Sequence, residues 1–533
     1  MFRFLHGYLP GYWEAQVRAG LVGENDGIRF CEDIMIDKSL QFNELAKKGG
    51  ALHKLISDEK RVFYVDRLQG GTYIEDYPYD PELLCEYERI LGDKFWGFQI
   101  HEWMSNYRHD VYEKLGDLPP ENWTEEEIKT EIFRKFSFKY LFLEAATAKE
   151  MEEMGRPGTL GEFYKNITDI YRKRMKVGEL LPCDSAFLAY GFELSCGAKR
   201  IMPEVGAQTA DARVQISYAR GMTRGEGKSF GVYYEPWGGA PFSTCCYQKD
   251  GLNEWGIGDG DDFPFKSSGD AGGSSRSLQK RIFLYGFLSG AEFISEEWGV
   301  CNTFHDWNDY ELSPYGKVKK DFLDFTRRYT DIGDKLTPIA AVLPSELYVL
   351  DNLYDDDLYC GFKVSSEALG RVKKGIRDIF SSKSAMLGNE TRTLKNSLVP
   401  DAVDLVNYGV ASLERYKYLV DLTEGELKDA PVIKADEVAD ILRGELPCYV
   451  EGCAHWLVNE CFSGGYYLTV FNHSGVLRTV KDGEVLLSEA SVTLSVSFKG
   501  KLPVLCEGDG ALMENGEDYT LTLPAGGYAF IRF

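Results

Sequence analysis

"FWGFQIHEW" (residues 95–103) and "EFISEEWG" (residues 292–299) share one pattern: an apolar run closes on glutamate and then tryptophan. A half-exposed strand alternates apolar with polar residues, whereas a strand covered on both faces reads as a near-continuous apolar run. Both segments therefore read as buried strands of a parallel sheet. Six further runs are of the same kind: "FRFLHGY" (2–8), "GIRFCED" (27–33), "RVFYVDR" (61–67), "KRIMPEVG" (199–206), "SFGVYYEPW" (229–237) and "PIAAVLP" (338–344). Between them lie stretches with apolar residues at helical spacing, such as "DPELLCEYERILG" (80–92) and "SLQKRIFLYGFLSGA" (277–291), each with glycine near its end. Eight strands alternating with helices predict an α/β fold, a (β/α)8 TIM barrel over residues 1–345.

The later chain reads differently. "ELYVLDN", "EALGRVKKGIRDIFSS" and "RYKYLVDLT" predict a flavodoxin-like α/β domain over 346–445. "YYLTVFNHSG", "SVTLSVSF" and "YTLTLPAGGYAFIRF" alternate with turn residues, as strands of an antiparallel β-sandwich over 446–533 do.

Bulk properties narrow the function. The chain has 533 residues, 44% of them hydrophobic, enough for a sizeable core and more than one domain. A net charge of −24 argues against nucleic acid and against an anionic membrane surface as partners. No apolar run is long enough to span a bilayer. The first residues lack a charged segment followed by a long apolar one, and the 12 cysteines are scattered without a CxxC pair. Reduced thiols and a cytoplasmic location are the expectation.

The strand ends carry the chemistry. Counted along these runs, strand one offers His6, strand three Asp66 and Arg67, and strand four His101, Glu102 and Trp103. Strand five offers Glu204, strand six Tyr234, Glu235 and Trp237, and strand seven Glu296, Glu297 and Trp298. Carboxylates crowded at one barrel mouth repel each other, so stability alone does not explain them. Two carboxylates held at different pKa values across a pocket are what glycosidic bond cleavage requires. The tryptophans are suited to the C–H faces of a sugar ring, and equally to rim packing.

These features resemble clan A glycoside hydrolases, in which the acid/base glutamate ends strand four and the nucleophile glutamate ends strand seven. The order of barrel, flavodoxin-like domain and β-domain is similar to that of family 42 β-galactosidases, of which this chain looks like a divergent relative. Long loops after strands four and six favour a closed pocket and hence an exo-acting enzyme on a short oligosaccharide or glycoside. The resemblance implies a retaining hydrolase with Glu102 as acid/base and Glu296 or Glu297 as nucleophile. Glu297 is preferred because its same-face neighbour Ser295 is small and polar. The clan usually has asparagine before the acid/base, where this chain has His101. His101, Asp66, Arg67, Trp103, Glu204, Tyr234, Glu235, Trp237, Trp298 and His6 are the residues expected to bind substrate or orient the acids. No cofactor and no metal are expected, and the flavodoxin-like domain implies a homo-oligomer by analogy.

Two rivals stand beside this reading. One is an inverting or sialidase-like glycosidase on the same barrel, using His101 or Asp66. The other is a carbohydrate-binding barrel without catalysis. "GMTRGEGKS" (221–229) fails as a phosphate loop, since Met222 replaces the required glycine and the stretch precedes a strand. "GDGDDF" (258–263) lacks the ligand spacing of an EF-hand.

Overall fold

The computed structural model describes residues 1–30, 42–66, 80–101, 169, 172, 180–184, 189–205, 212–225, 227–236, 273–297, 299–306, 308–345, 358–359, 362–363, 366–380, 396–423, 425–427, 432–477 and 484–533. Eight strands join in chain order into a closed barrel: β1 (Arg3–Tyr8), β2 (Gly27–Phe30), β3 (Phe63–Val65), β4 (Phe95–His101), β5 (Leu180–Asp184), β6 (Arg200–Val205), β7 (Ser229–Tyr234) and β8 (Phe293–Glu296). The pairs β1–β2, β2–β3, β3–β4, β4–β5 and β7–β8 are parallel.

The expected barrel is present, but its strand count needs two corrections. "LLPCD" (180–184), too short and proline-broken to register as an apolar run, is β5. "PIAAVLP", expected as the last barrel strand, supplies β10 (Ile339–Leu343) of a separate four-stranded sheet. There Val403–Asn407 lies parallel on one side of it and Tyr418–Asp421 on the other. The centre of a parallel sheet is buried on both faces, so by composition alone it is indistinguishable from a barrel strand. The acids expected at the ends of strands five, six and seven consequently end β6, β7 and β8.

Two compact units make up the chain. One comprises Arg3–Met202 and Tyr354–Ser365. Its core is strongly aromatic beneath β2 and β3, where Phe30 meets Phe42 edge-on at 5.2 Å and Phe63 stacks on Tyr87 at 5.3 Å. The helix Pro81–Leu91 that carries Tyr87 follows its sequence signals. Asp80 caps it by accepting from the Glu82 amide at 2.9 Å, proline opens it, and Gly92 ends it at φ 54°.

The other unit comprises Met1–Phe2, Pro203–Leu353 and Ser366–Phe533. Among the described residues it holds β6 from Pro203 onward, β7, β8, the parallel sheet, a two-stranded antiparallel ribbon (Val476–Leu477 with Val485–Leu486) and two larger antiparallel sheets. The parallel sheet has the order Val403–Asn407, β10, Tyr418–Asp421, Val432–Ile433, which is the 2-1-3-4 order of flavodoxin-like sheets. The two larger antiparallel sheets have four and five strands, and the edge of the five-stranded one is β9 (Asp334–Lys335), paired with His455–Glu460. Gly231 of β7 lies opposite Phe293 of β8, and a Cβ there would enter the Phe293 ring. Among the described residues no helix is long and apolar enough to cross a membrane.

Two buried acids of this unit are matched by cations and donors. Asp401 accepts from Lys335 Nζ at 2.8 Å and from His455 Nε2 at 2.9 Å, while Asp404 accepts from Arg220 Nε at 2.6 Å and Tyr416 at 2.8 Å. Burial alone would raise the Asp401 carboxyl, but Lys335, Arg213 and His455 hold it well below the ordinary carboxylate range. Burial pulls His455 down to about 4, and its bond to Asp401 offsets this only in part. The His455 ring lies edge-on to Tyr285 at 4.9 Å and against Phe471 at 5.3 Å, surroundings that favour the neutral imidazole.

This sets a pH window. The folded His455 value lies below the unfolded value of about 6.5, so its contribution is complete above pH 6.5 and is lost as pH falls toward about 4. Stability in urea should fall by about 3 kcal/mol more between pH 6.5 and 4 in the wild type than in His455→Asn. Equal pH slopes in the two proteins would contradict the assignment.

Candidate active site

The site is built from the ends of β6, β7 and β8. In the parallel ladder the Glu235 amide donates to the Val205 carbonyl at 3.0 Å, and the Glu297 amide donates to the Tyr234 carbonyl at 2.9 Å. Tyr234 and Glu296 are register partners, so Glu235 and Glu297 are the next residues on adjacent strands. Successive side chains of a strand point to opposite faces. Tyr234 and Glu296 accordingly meet the helices, and Glu235 and Glu297 turn the other way. Glu204 joins them from β6. One carboxylate oxygen from each of Glu204, Glu235 and Glu297 lies within 4.8 Å of the other two, and all three residues are buried.

Alternation thus separates the adjacent glutamates. Glu296 is bound by the helix Pro314–Arg328, where the Tyr315 hydroxyl donates to it at 2.6 Å and the buried Lys319 ammonium forms an ion pair with it. Tyr315 and Lys319 are one helical turn apart and so reach the same carboxylate. A Cβ at position 299 would collide with that carboxylate, which is why glycine follows Trp298. Glu296 is a compensated structural charge, and Glu297 belongs to the cluster.

Like charges held this close in a buried site repel one another. At an effective dielectric of about 20, each pair of charges 4.8 Å apart costs about 3 kcal/mol. Shared protons, neighbouring donors and cations, or a bound ion are the ways such repulsion is offset. Three glutamate oxygens at this spacing suit a hard divalent ion such as calcium, which takes oxygen ligands at about 2.3–2.6 Å.

The remaining expected residues are distributed as follows. Tyr234 hydrogen-bonds Ser274 and packs edge-on against Phe283 at 5.3 Å, and burial raises its hydroxyl far above the ordinary phenol value. His6 is buried with Nδ1 at 3.2 Å from Gln16 and Nε2 at 3.2 Å from Asp26, so its ring ties β1 to the turn before β2. Asp66 follows β3 and is paired with Arg29 of β2, whose Nε donates at 2.6 Å; both are buried. His101 ends β4 in register with Cys183 of β5. Glu102, Trp103, Arg67, Trp237 and Trp298 lie outside the described residues.

Sequence reasoning passed over several residues. Asp184 ends β5 and is buried, and the helix Ala189–Ser195 brings Glu193 near it. Burial first, and Asp184 second, push the Glu193 carboxyl well above its ordinary range. Finding Asp184 required finding β5. The partners of Glu296 had a faint signal, the spacing of Tyr315 and Lys319 on a helix opened by the Ser313–Pro314 cap.

No family model matches the chain, and no curated protein matches it. Among solved structures the chain is similar to a β-galactosidase from Halorubrum lacusprofundi, at 12% identity over 100% of this chain and 99% of that one, with a TM-score of 0.40. It is similar to a β-galactosidase from Marinomonas ef1 at 10% identity over 100% of both chains, TM-score 0.38. A family 98 glycoside hydrolase catalytic module from Streptococcus pneumoniae matches at 9% identity over 92% of this chain and 95% of that one, TM-score 0.36. At these values the likenesses carry no argument about activity.

The Glu296 assignment makes a stability prediction. Lys319→Met leaves a buried carboxylate uncompensated and should cost about 3–5 kcal/mol in chemical denaturation. The double variant Lys319→Met/Glu296→Gln should recover most of that loss, because the stranded charge is gone. A double variant no more stable than the single one would refute the pairing.

Proposed function

We propose that the chain is a glycoside hydrolase working through carboxylates at its barrel mouth. The observation that carries this reading is the set of three buried glutamates at the ends of consecutive barrel strands, with reactive oxygens within 4.8 Å of one another. Such a set supplies a carboxylate nucleophile and acids to orient it, as glycosidic cleavage by paired carboxylates requires.

With the barrel strands numbered as they pair, Glu235 is the nucleophile we propose in place of the Glu297 favoured above. The clan resemblance puts that group at the end of strand seven, which is β7, and the residue following β7 is Glu235. Glu235 is the attacking carboxylate in this proposal, and Glu297, on β8, is its neighbour. Glu102 follows β4 in sequence and is the acid/base.

In the first step Glu102 gives its proton to the glycosidic oxygen while a Glu235 oxygen bonds to the anomeric carbon and the aglycone leaves. In the second step Glu102 takes a proton from water, whose oxygen displaces Glu235 and regenerates both groups. Glu204 and Glu297 retain the cluster's shared proton and donate it as a hydrogen bond to ionised Glu235, keeping the nucleophile charged among like charges. The substrate class is a short oligosaccharide or simple glycoside.

A panel of nitrophenyl glycosides tests this. For the sugar the wild type cleaves, Glu235→Gln and Glu102→Gln should each lower kcat by at least about 100-fold. With azide, Glu235→Ala should yield a glycosyl azide of inverted configuration, and Glu102→Ala one of retained configuration. Wild-type turnover by Glu235→Gln would eliminate it as nucleophile. The oxygen-only donor set favours one second reading, a cation-dependent hydrolase. Loss of activity in a chelator and its return with calcium would establish that reading instead.

A further inference from the structure

The buried helix Ala212–Thr223 connects the acid cluster to the charges beneath the parallel sheet. On one side, Gln215 Nε2 donates to the backbone carbonyl of Glu204 at 2.9 Å. On the other, Arg220 Nε donates to Asp404 at 2.6 Å and Arg213 Nε lies 3.4 Å from Asp401. At about 100° per residue, Gln215 is about 140° around the helix from Arg220 and about 160° from Arg213. The helix is therefore held by ionic contacts on one face and holds a cluster acid with the other. A Cβ at Gly221 would overlap the Leu405 carbonyl, so glycine brings the helix into direct contact with strand Val403–Asn407.

We propose that Gln215 is a positioning residue for the acid cluster, with the Asp401 and Asp404 contacts anchoring the helix that presents it. The proposal rests on the hydrolase reading only for its kinetic consequence. The peptide unit of Glu204 cannot rotate without breaking the Gln215 bond, and that rotation would carry the Glu204 carboxyl away from Glu235 and Glu297. The sheet domain thereby acts on the barrel site through one amide.

Gln215→Met keeps the side chain's length and removes the donor. At 25 °C it should lower kcat about tenfold on the glycoside cleaved by the wild type, with KM within about twofold. Amide exchange in the segment covering 200–205 should accelerate about tenfold, while the segment covering 403–407 stays at the wild-type rate. If Gln215→Met does not fold, Gln215→Asn, one methylene too short to reach, is expected to behave the same way. Unchanged kcat with unchanged exchange at 200–205 would overturn the proposal, and so would equal loosening of both segments, which marks a merely structural helix. If the wild type hydrolyses no glycoside, the hydrolase reading fails while the exchange measurement still decides the role of Gln215.

Discussion

Repulsion among three buried carboxylates is the constraint around which this barrel mouth is arranged. Glu204, Glu235 and Glu297 are brought within 4.8 Å by the parallel ladder itself, because consecutive strands end in step. A fold selected only for stability would place small or apolar residues there.

Other buried acids in the same unit sit against cations and donors. Glu296 has Lys319 and Tyr315, Asp401 has Lys335 and His455, and Asp404 has Arg220 and Tyr416. Each buried acid in these positions meets cations or donors, which is the usual condition for burying an ion. Two adjacent glutamates on β8 thus belong to different systems, one facing a helix and the other its fellow acids.

Much of the barrel was legible because parallel strands buried on both faces leave a strong compositional mark. The same mark misassigned Ile339–Leu343, whose neighbours are the strands of another sheet. Nothing local records which sheet a buried strand joins, and β5, with Pro182 at its centre, carries too little apolar sequence to compete. The acids at the strand ends were visible, and so was the two-residue alternation that separates Glu296 from Glu297. Which side of that alternation faced the cluster depended on Lys319, a residue 23 positions away. The groups that tune a site arrive from distant helices, and spacing along the chain does not reveal them.

The two-residue strand β9 has a consequence for how this chain can be divided. It pairs with Asn459 and Glu460, so the five-stranded sheet begins before the parallel sheet and is completed after it. The parallel sheet is therefore topologically an insertion within the sheet that follows it, not a bead on a string. Exchange of either module between proteins, by recombination or by design, would have to carry Asp334 and Lys335 along with segments more than 100 residues downstream.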